Sequence, residues 1–234
     1  MSLNLDGLSH AAVLSPDKPE MTVRSGESSR LKQFAQYVIE GIWHIWIGFD
    51  HILFLLSLLL PAVLVYEAKR WQGAATFGVA LRQVVGVVTA FTLAHSITLT
   101  LASLELISLP SRWVESAIAA SVVLAAANNL WPLVERRRWL VAFMFGLIHG
   151  FGFASVLTEL GLPKDSLLLS LLGFNLGVEI GQLAIVAAFL PAAYLLRNTT
   201  FYRLTVFKSG SIVTAVVALF WFVERAFNLK LISG

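Results

Sequence analysis

Cysteine is absent from this chain of 234 residues. Its absence excludes a disulfide framework and any thiolate metal centre. A bound metal must therefore be held by imidazole, carboxylate, amide, hydroxyl or backbone oxygen. Charge is scarce too: only 13% of residues are Asp, Glu, Lys or Arg, about half the share found in soluble domains. There is no Walker-type loop, so a nucleotide cofactor and ATP-driven pumping are not expected. The start of the chain lacks a basic stretch followed by an apolar core, so a cleavable signal peptide is not expected either. The formal charge of +3 does not point to nucleic acid, because loop topology accounts for the basic residues.

What is abundant is apolar surface. Hydrophobic residues make up 57% of the chain, with a mean hydropathy of +0.78, and a soluble protein of this length could not hide that much. Six hydrophobic blocks follow in order: Phe34 to Tyr66, Val79 to Ile107, Val114 to Val134, Leu140 to Leu160, Leu167 to Leu196 and Leu204 to Phe227. A crossing needs about 20 apolar residues, so the expected fold is an all-α integral membrane protein, a bundle of about six transmembrane helices over residues 34–228. Tilt would absorb the excess length of the first, second and fifth blocks. Residues 1–33 form a polar tail whose short apolar pieces read as strands or coil. Residues 229–234 form a C-terminal tail.

The basic residues set the expected orientation. Loops one, three and five carry Lys69, Arg70 and Arg82, then Arg136, Arg137 and Arg138, then Arg197, Arg203 and Lys208, whereas loops two and four carry Arg112 and Lys164. The odd loops are thus expected in the cytoplasm and both termini outside it.

Inside the blocks lie groups that hydrocarbon penalises and that persist mainly where they line a cavity, pair together or hold an ion. On the first block, Glu40 and His44 share a helical face. In a regular helix His51 falls about 10.5 Å beyond His44, and Asp50 points roughly 80–120° aside. His44 and His51 are then too far apart to share one ion easily, unless Gly48 bends the helix. His95 sits in the second block beside Ser96. His149 sits in the fourth, within a small-residue stripe of Gly146, Gly150 and Ala154 that permits close helix approach. On the fifth block Asn175, Glu179 and Gln182 fall on one face. Asn128 and Asn129 read as packing groups, and Ser96, Thr98 and Thr100 as groups that bond their own helix backbone. Imidazole plus carboxylate without thiolate suits borderline divalent ions such as Ni²⁺, Co²⁺, Zn²⁺ or Cu²⁺.

The motif His44-x5-Asp50-His51 resembles the first-helix signature of the HupE/UreJ family. Phe145-Gly146-Leu147-Ile148-His149-Gly150-Phe151-Gly152-Phe153-Ala154 is similar to its later His-Gly motif, and Glu179 resembles its acid. The resemblance covers about residues 35 to 228. It departs at the fifth block, where Phe174-Asn175 precedes Gly177 in place of a second His-Gly. The chain looks most like the branch in which a periplasmic β-domain precedes the helices, residues 1–30 being its remnant. The resemblance implies a nickel or cobalt permease in a bacterial inner membrane. His44, Asp50, His51, His95, His149 and Glu179 would be the metal set, with Glu40, Asn175 and Gln182 in support. Partners would be the metal ion and membrane lipid, with no nucleic acid, and a homo-oligomer is compatible with it. Two other readings stay open. One is an intramembrane zinc hydrolase using Ser96 with Asp50 or Glu179, and the other a non-catalytic scaffold.

Overall fold

A backbone in hydrocarbon must satisfy its own hydrogen bonds, which favours a helix for each apolar run. The computed structural model describes residues 2–5, 8–11, 30–74, 76–134, 137–152 and 164–229. In chain order the elements are β1 (Ser2–Leu5), β2 (Leu8–Ala11), α1 (Arg30–Ile47), α2 (Phe49–Leu59), β3 (Leu64–Glu67), β4 (Arg70–Gly73), α3 (Phe77–Ser103), α4 (Ser111–Leu130), α5 (Arg138–His149), α6 (Lys164–Leu196), a π-helical stretch (Tyr202–Ser209) and α7 (Gly210–Phe227).

Four of these runs are long and apolar enough to cross a membrane: α3, α4, the bulk of α6, and Tyr202–Phe227 taken as one. Helices α1 and α2 form a fifth crossing only if counted together, because they meet at 72°. Six unbroken helices are therefore not found among the described residues. Apolarity misleads in one place. The first block continues through Gly48, where the helix breaks, and into Leu64–Tyr66, which belongs to a hairpin. Of the fourth block the structure describes the 12-residue α5 and the turn that follows it, and residues 153–160 lie outside the described residues.

The hairpin pairs β3 with β4, Leu64 opposite Gly73 and Glu67 opposite Arg70. Its turn residues Ala68 and Lys69 have φ of 49° and 60°. A turn of this kind normally uses Asn or Gly, so the sequence carried no hairpin signal. In the N-terminal tail β1 and β2 pair antiparallel, with Leu3 opposite His10.

Glycine sets the helix pairings. Helices α1 and α6 run side by side in parallel, in contact backbone to backbone. A Cβ on Gly41 would strike the Phe174 carbonyl oxygen, and one on Gly177 the Val38 carbonyl oxygen. Helix α5 lies on α3 in the same way: Gly146 faces the Phe91 backbone, and Gly150 faces Thr98 Oγ1 and the His95 carbonyl. The small-residue stripe thus does what its spacing suggested, at Gly146 and Gly150; Ala154 is outside the described residues. Helices α4 and α7 are antiparallel, tied by Arg112 donating to the Ala226 carbonyl, by the Arg225–Glu115 ion pair, and by Asn129 Nδ2 donating to Ser211 Oγ at 3.2 Å. Asn128 closes the turn after α4 by accepting from the Leu133 and Val134 amides. Asn129 is a packing group, as expected, whereas Asn128 serves the turn.

The basic loops meet at one end. Arg138 lies 5.2 Å from the Trp71 ring centroid, and Arg197 Nε donates to the Ala74 carbonyl at 2.9 Å. Arg112 is at the other end with Ala226. Among the described residues the basic side chains of loops one, three and five thus lie together at the end opposite Arg112. A core of Leu55, Leu59, Val84, Val88, Leu190 and Tyr202 packs beneath the basic end. By helical rise, His95 lies about 27 Å along α3 from that end and about 12 Å from the other.

Candidate metal centre

The centre begins at Gly48. Its ψ of 97° takes the chain out of the helix between α1 and α2. A Cβ there would lie 2.7 Å from the His44 carbonyl oxygen, 3.1 Å from His51 Nδ1 and 3.2 Å from Asp50 Oδ1. Glycine lets all three approach. The bend corrects the regular-helix expectation: the His44 and His51 ring centroids are 4.5 Å apart. Asp50, expected to lean aside, turns back so that Oδ1 accepts from His51 Nδ1 at 3.1 Å.

Helices α3 and α5 bring the remaining imidazoles. His95 is 6.2 Å from both His44 and His51, ring centre to ring centre. His149 is 5.2 Å from His51. Two overlapping groups result. His44, His51 and His95 each offer a ligand atom within 4.8 Å of the others, as do Asp50, His51 and His149. His51 belongs to both. Atoms bound to one ion at about 2.1 Å lie roughly 3–4 Å apart, so each group would have to contract to close on an ion.

The hydrogen bonds decide which nitrogens face inward. Asn175 Nδ2 donates to the Leu171 carbonyl at 2.8 Å, which turns its Oδ1 to accept from His95 Nδ1 at 3.3 Å. Ser121 Oγ donates to the Ile118 carbonyl at 2.7 Å, so it accepts from His149 Nε2 at 2.9 Å. Asp50 accepts from His51 Nδ1. Each of the three imidazoles thus has one N–H fixed by a carboxylate, amide or hydroxyl oxygen, leaving the other nitrogen as a lone pair. Those other nitrogens, His51 Nε2, His95 Nε2 and His149 Nδ1, are buried and make no hydrogen bond. A buried polar atom without a partner costs about 1–3 kcal/mol. Three such atoms, each opposite a pinned N–H, is the arrangement metal-binding histidines adopt, the outer oxygen fixing tautomer and ring direction. The residues therefore fit a borderline divalent ion. Phe54 and Phe91, at 4.9 and 5.3 Å from the His149 ring, and Phe174, at 5.2 Å from the His44 ring, wall the centre with apolar surface.

Other predicted site residues lie outside both groups. Glu179 is partly exposed and accepts from Thr89 Oγ1 at 3.0 Å. Gln182 Oε1 accepts from Thr92 Oγ1 at 3.0 Å. Asn175 does support the centre, through His95. Glu40 is exposed on α1. Ser96 Oγ donates to the Thr92 carbonyl at 2.7 Å, and Thr98 and Thr100 likewise bond their own helix. Ser121 was not anticipated. A serine in an apolar block carries no sign of its partner, and His149 stands 28 positions away. Ser121→Ala is expected to weaken Ni²⁺ binding roughly 10–100-fold while the melting temperature changes little; calorimetric titration of the purified protein measures the first and thermal unfolding the second.

The family model described as HupE / UreJ protein matches residues 18–225, most of the chain. The chain belongs to the HupE/UreJ family. The match begins upstream of α1 and takes in every helix that supplies the centre, so His44, Asp50, His51, His95 and His149 all stand on HupE/UreJ sequence. With its several apolar helices, this HupE/UreJ chain is a multi-pass membrane protein. No curated protein and no solved structure matches it.

Proposed function

We propose that this chain is a secondary permease for a divalent transition-metal ion, Ni²⁺ or Co²⁺, in the bacterial inner membrane. The observation that carries the reading is the set of buried imidazole lone pairs at His51, His95 and His149, each opposite a pinned N–H. The ion is the cargo. Two ligand groups sharing His51 make a pair of overlapping half-sites rather than one closed shell. An ion passing from one to the other exchanges ligands and is never fully caged, which suits transit. Asp50 supplies the negative charge that lowers the cost of a dication at this depth. With no nucleotide motif, the membrane potential drives inward movement, at about 2.3 kcal/mol per elementary charge per 100 mV. In this reading the basic end faces the cytoplasm and both termini lie outside.

A hydrolase with Ser96 as nucleophile is less well supported. Its hydroxyl proton is committed to the Thr92 carbonyl, one turn back on the same helix. Uptake of Ni²⁺ into vesicles reconstituted with the protein tests the permease reading. His44→Ala and Asp50→Asn are each expected to lower the initial rate roughly tenfold or more, as lost ligands do when each decade is about 1.4 kcal/mol. Wild-type rates in both would remove the centre from the pathway.

A further inference from the structure

A second, unrelated site lies at the basic end. A cleft of about 680 Å³ opens between α2, α3, α5 and the β3–β4 hairpin, within the range of small-ligand sites. Its two ends differ in chemistry. The wall is aliphatic, formed by Leu55 and Leu58 of α2 and Val87 of α3, while the rim carries Arg82, Gln83 and Arg138 with one carboxylate, Glu67, so two guanidinium groups stand against a single acid. Arg82 and Gln83 are exposed. Arg138 is held in place, donating from Nη1 to the Pro61 carbonyl at 3.1 Å and stacking on Trp71. Trp139, 51% exposed, stands at the same rim, where an amphipathic ring marks a membrane–water boundary.

We propose that this cleft binds one anionic phospholipid, its phosphate at Arg82 and Arg138 and an acyl chain along the leucine and valine wall. Charge complementarity selects the occupant. Guanidinium groups pair with phosphate oxygens in charge-assisted hydrogen bonds, and basic pockets between membrane helices at the leaflet surface hold acidic headgroups. Gly86 lies in the lining, and a Cβ there meets nothing within 4 Å. A larger residue at that position would fill the cleft without disturbing a helix contact.

The test is native mass spectrometry of the full chain in mild detergent, titrated with phosphatidylglycerol, phosphatidylcholine or inorganic phosphate. Phosphatidylglycerol adducts are expected to exceed phosphatidylcholine adducts roughly tenfold, and to fall by roughly that factor in Arg82→Ala, as loss of a charge-assisted bond predicts. Gly86→Leu should lose them to a similar degree while inorganic phosphate fails to displace the lipid. Ni²⁺ affinity should be unchanged in both variants, because Gly86 is about 13.5 Å along α3 from His95. Equal binding of the two lipids, or adducts retained in both variants, would overturn the proposal. So would displacement by phosphate alone, which would leave a headgroup site with no place for the chain.

Discussion

Replacing His51 with alanine is expected to abolish measurable Ni²⁺ binding, a loss of roughly a hundredfold or more in affinity, or about 2.8 kcal/mol at 1.4 kcal/mol per decade. His51 is the residue common to the two ligand groups. His44 and His149 each belong to one, so alanine at either leaves the other group whole and should cost roughly tenfold. The rank order is the informative result. A second effect acts in the same direction: without the imidazole, Asp50 loses the N–H that Oδ1 accepts at 3.1 Å and is no longer aimed at the centre. His51→Asn separates the two. The amide can still donate to Asp50 but has no imidazole lone pair to offer, so binding should stay lost while the protein melts nearer to wild type. Calorimetric titration of chelator-stripped protein gives the affinities. If His51→Ala binds no worse than His149→Ala, the two groups do not share His51 and the overlapping-site geometry is wrong.

The largest effect on stability is expected at Gly41. A Cβ there would strike the Phe174 carbonyl oxygen and lie 2.9 Å from Val178 N and 3.0 Å from Gly177 Cα. All three are backbone atoms of α6, so no side chain can move to make room. Overpacking ordinarily costs about 1–3 kcal/mol. Gly41→Val sets a branched side chain against backbone and belongs at or above the top of that range. The site should suffer with the fold. His44 is one turn along α1, and pushing α1 off α6 carries it away from His95 on α3. Gly78→Ala is the matched control: a Cβ at Gly78 meets nothing within 4 Å, and alanine favours the helix by up to about 1 kcal/mol. Thermal unfolding in detergent is expected to show a large drop for Gly41→Val and no loss for Gly78→Ala. Similar melting for the two would mean that α1 and α6 are not in backbone contact.

How far the site was readable depended on whether neighbours along one helix or residues on different helices set the geometry. His44, Asp50, His51, His95 and His149 were all legible as imidazole or carboxylate inside apolar runs. Their relative positions were not. A straight helix sets His44 and His51 two turns apart, and only the break at Gly48 folds one ring back onto the other. Glu179 shows the converse. At 100° per residue it lies about 40° from Asn175 and about 60° from Gln182, close enough to be grouped with them by spacing. Packing of α6 on α3 places the two amides on His95 and Thr92, and leaves Glu179 at the edge with the exposed Thr89. A few tens of degrees, negligible in a helical projection, separate a buried partner from a partly exposed one.

The sequence by itself determined the solvent and the chemistry. Apolar composition demanded a membrane, missing thiolates restricted any metal to imidazole and oxygen, and the spread of arginine and lysine sorted the loops into two sets. These follow from transfer free energies and ligand preferences, which belong to residue types and do not depend on the fold. The tertiary structure decided which nitrogens converge, that Ser121 and Asn175 fix two tautomers, and that the first crossing is bent at Gly48. Those follow from contacts between helices far apart in the chain, where an ångström of glycine-mediated approach sets whether four imidazoles form one centre or remain four separate polar defects.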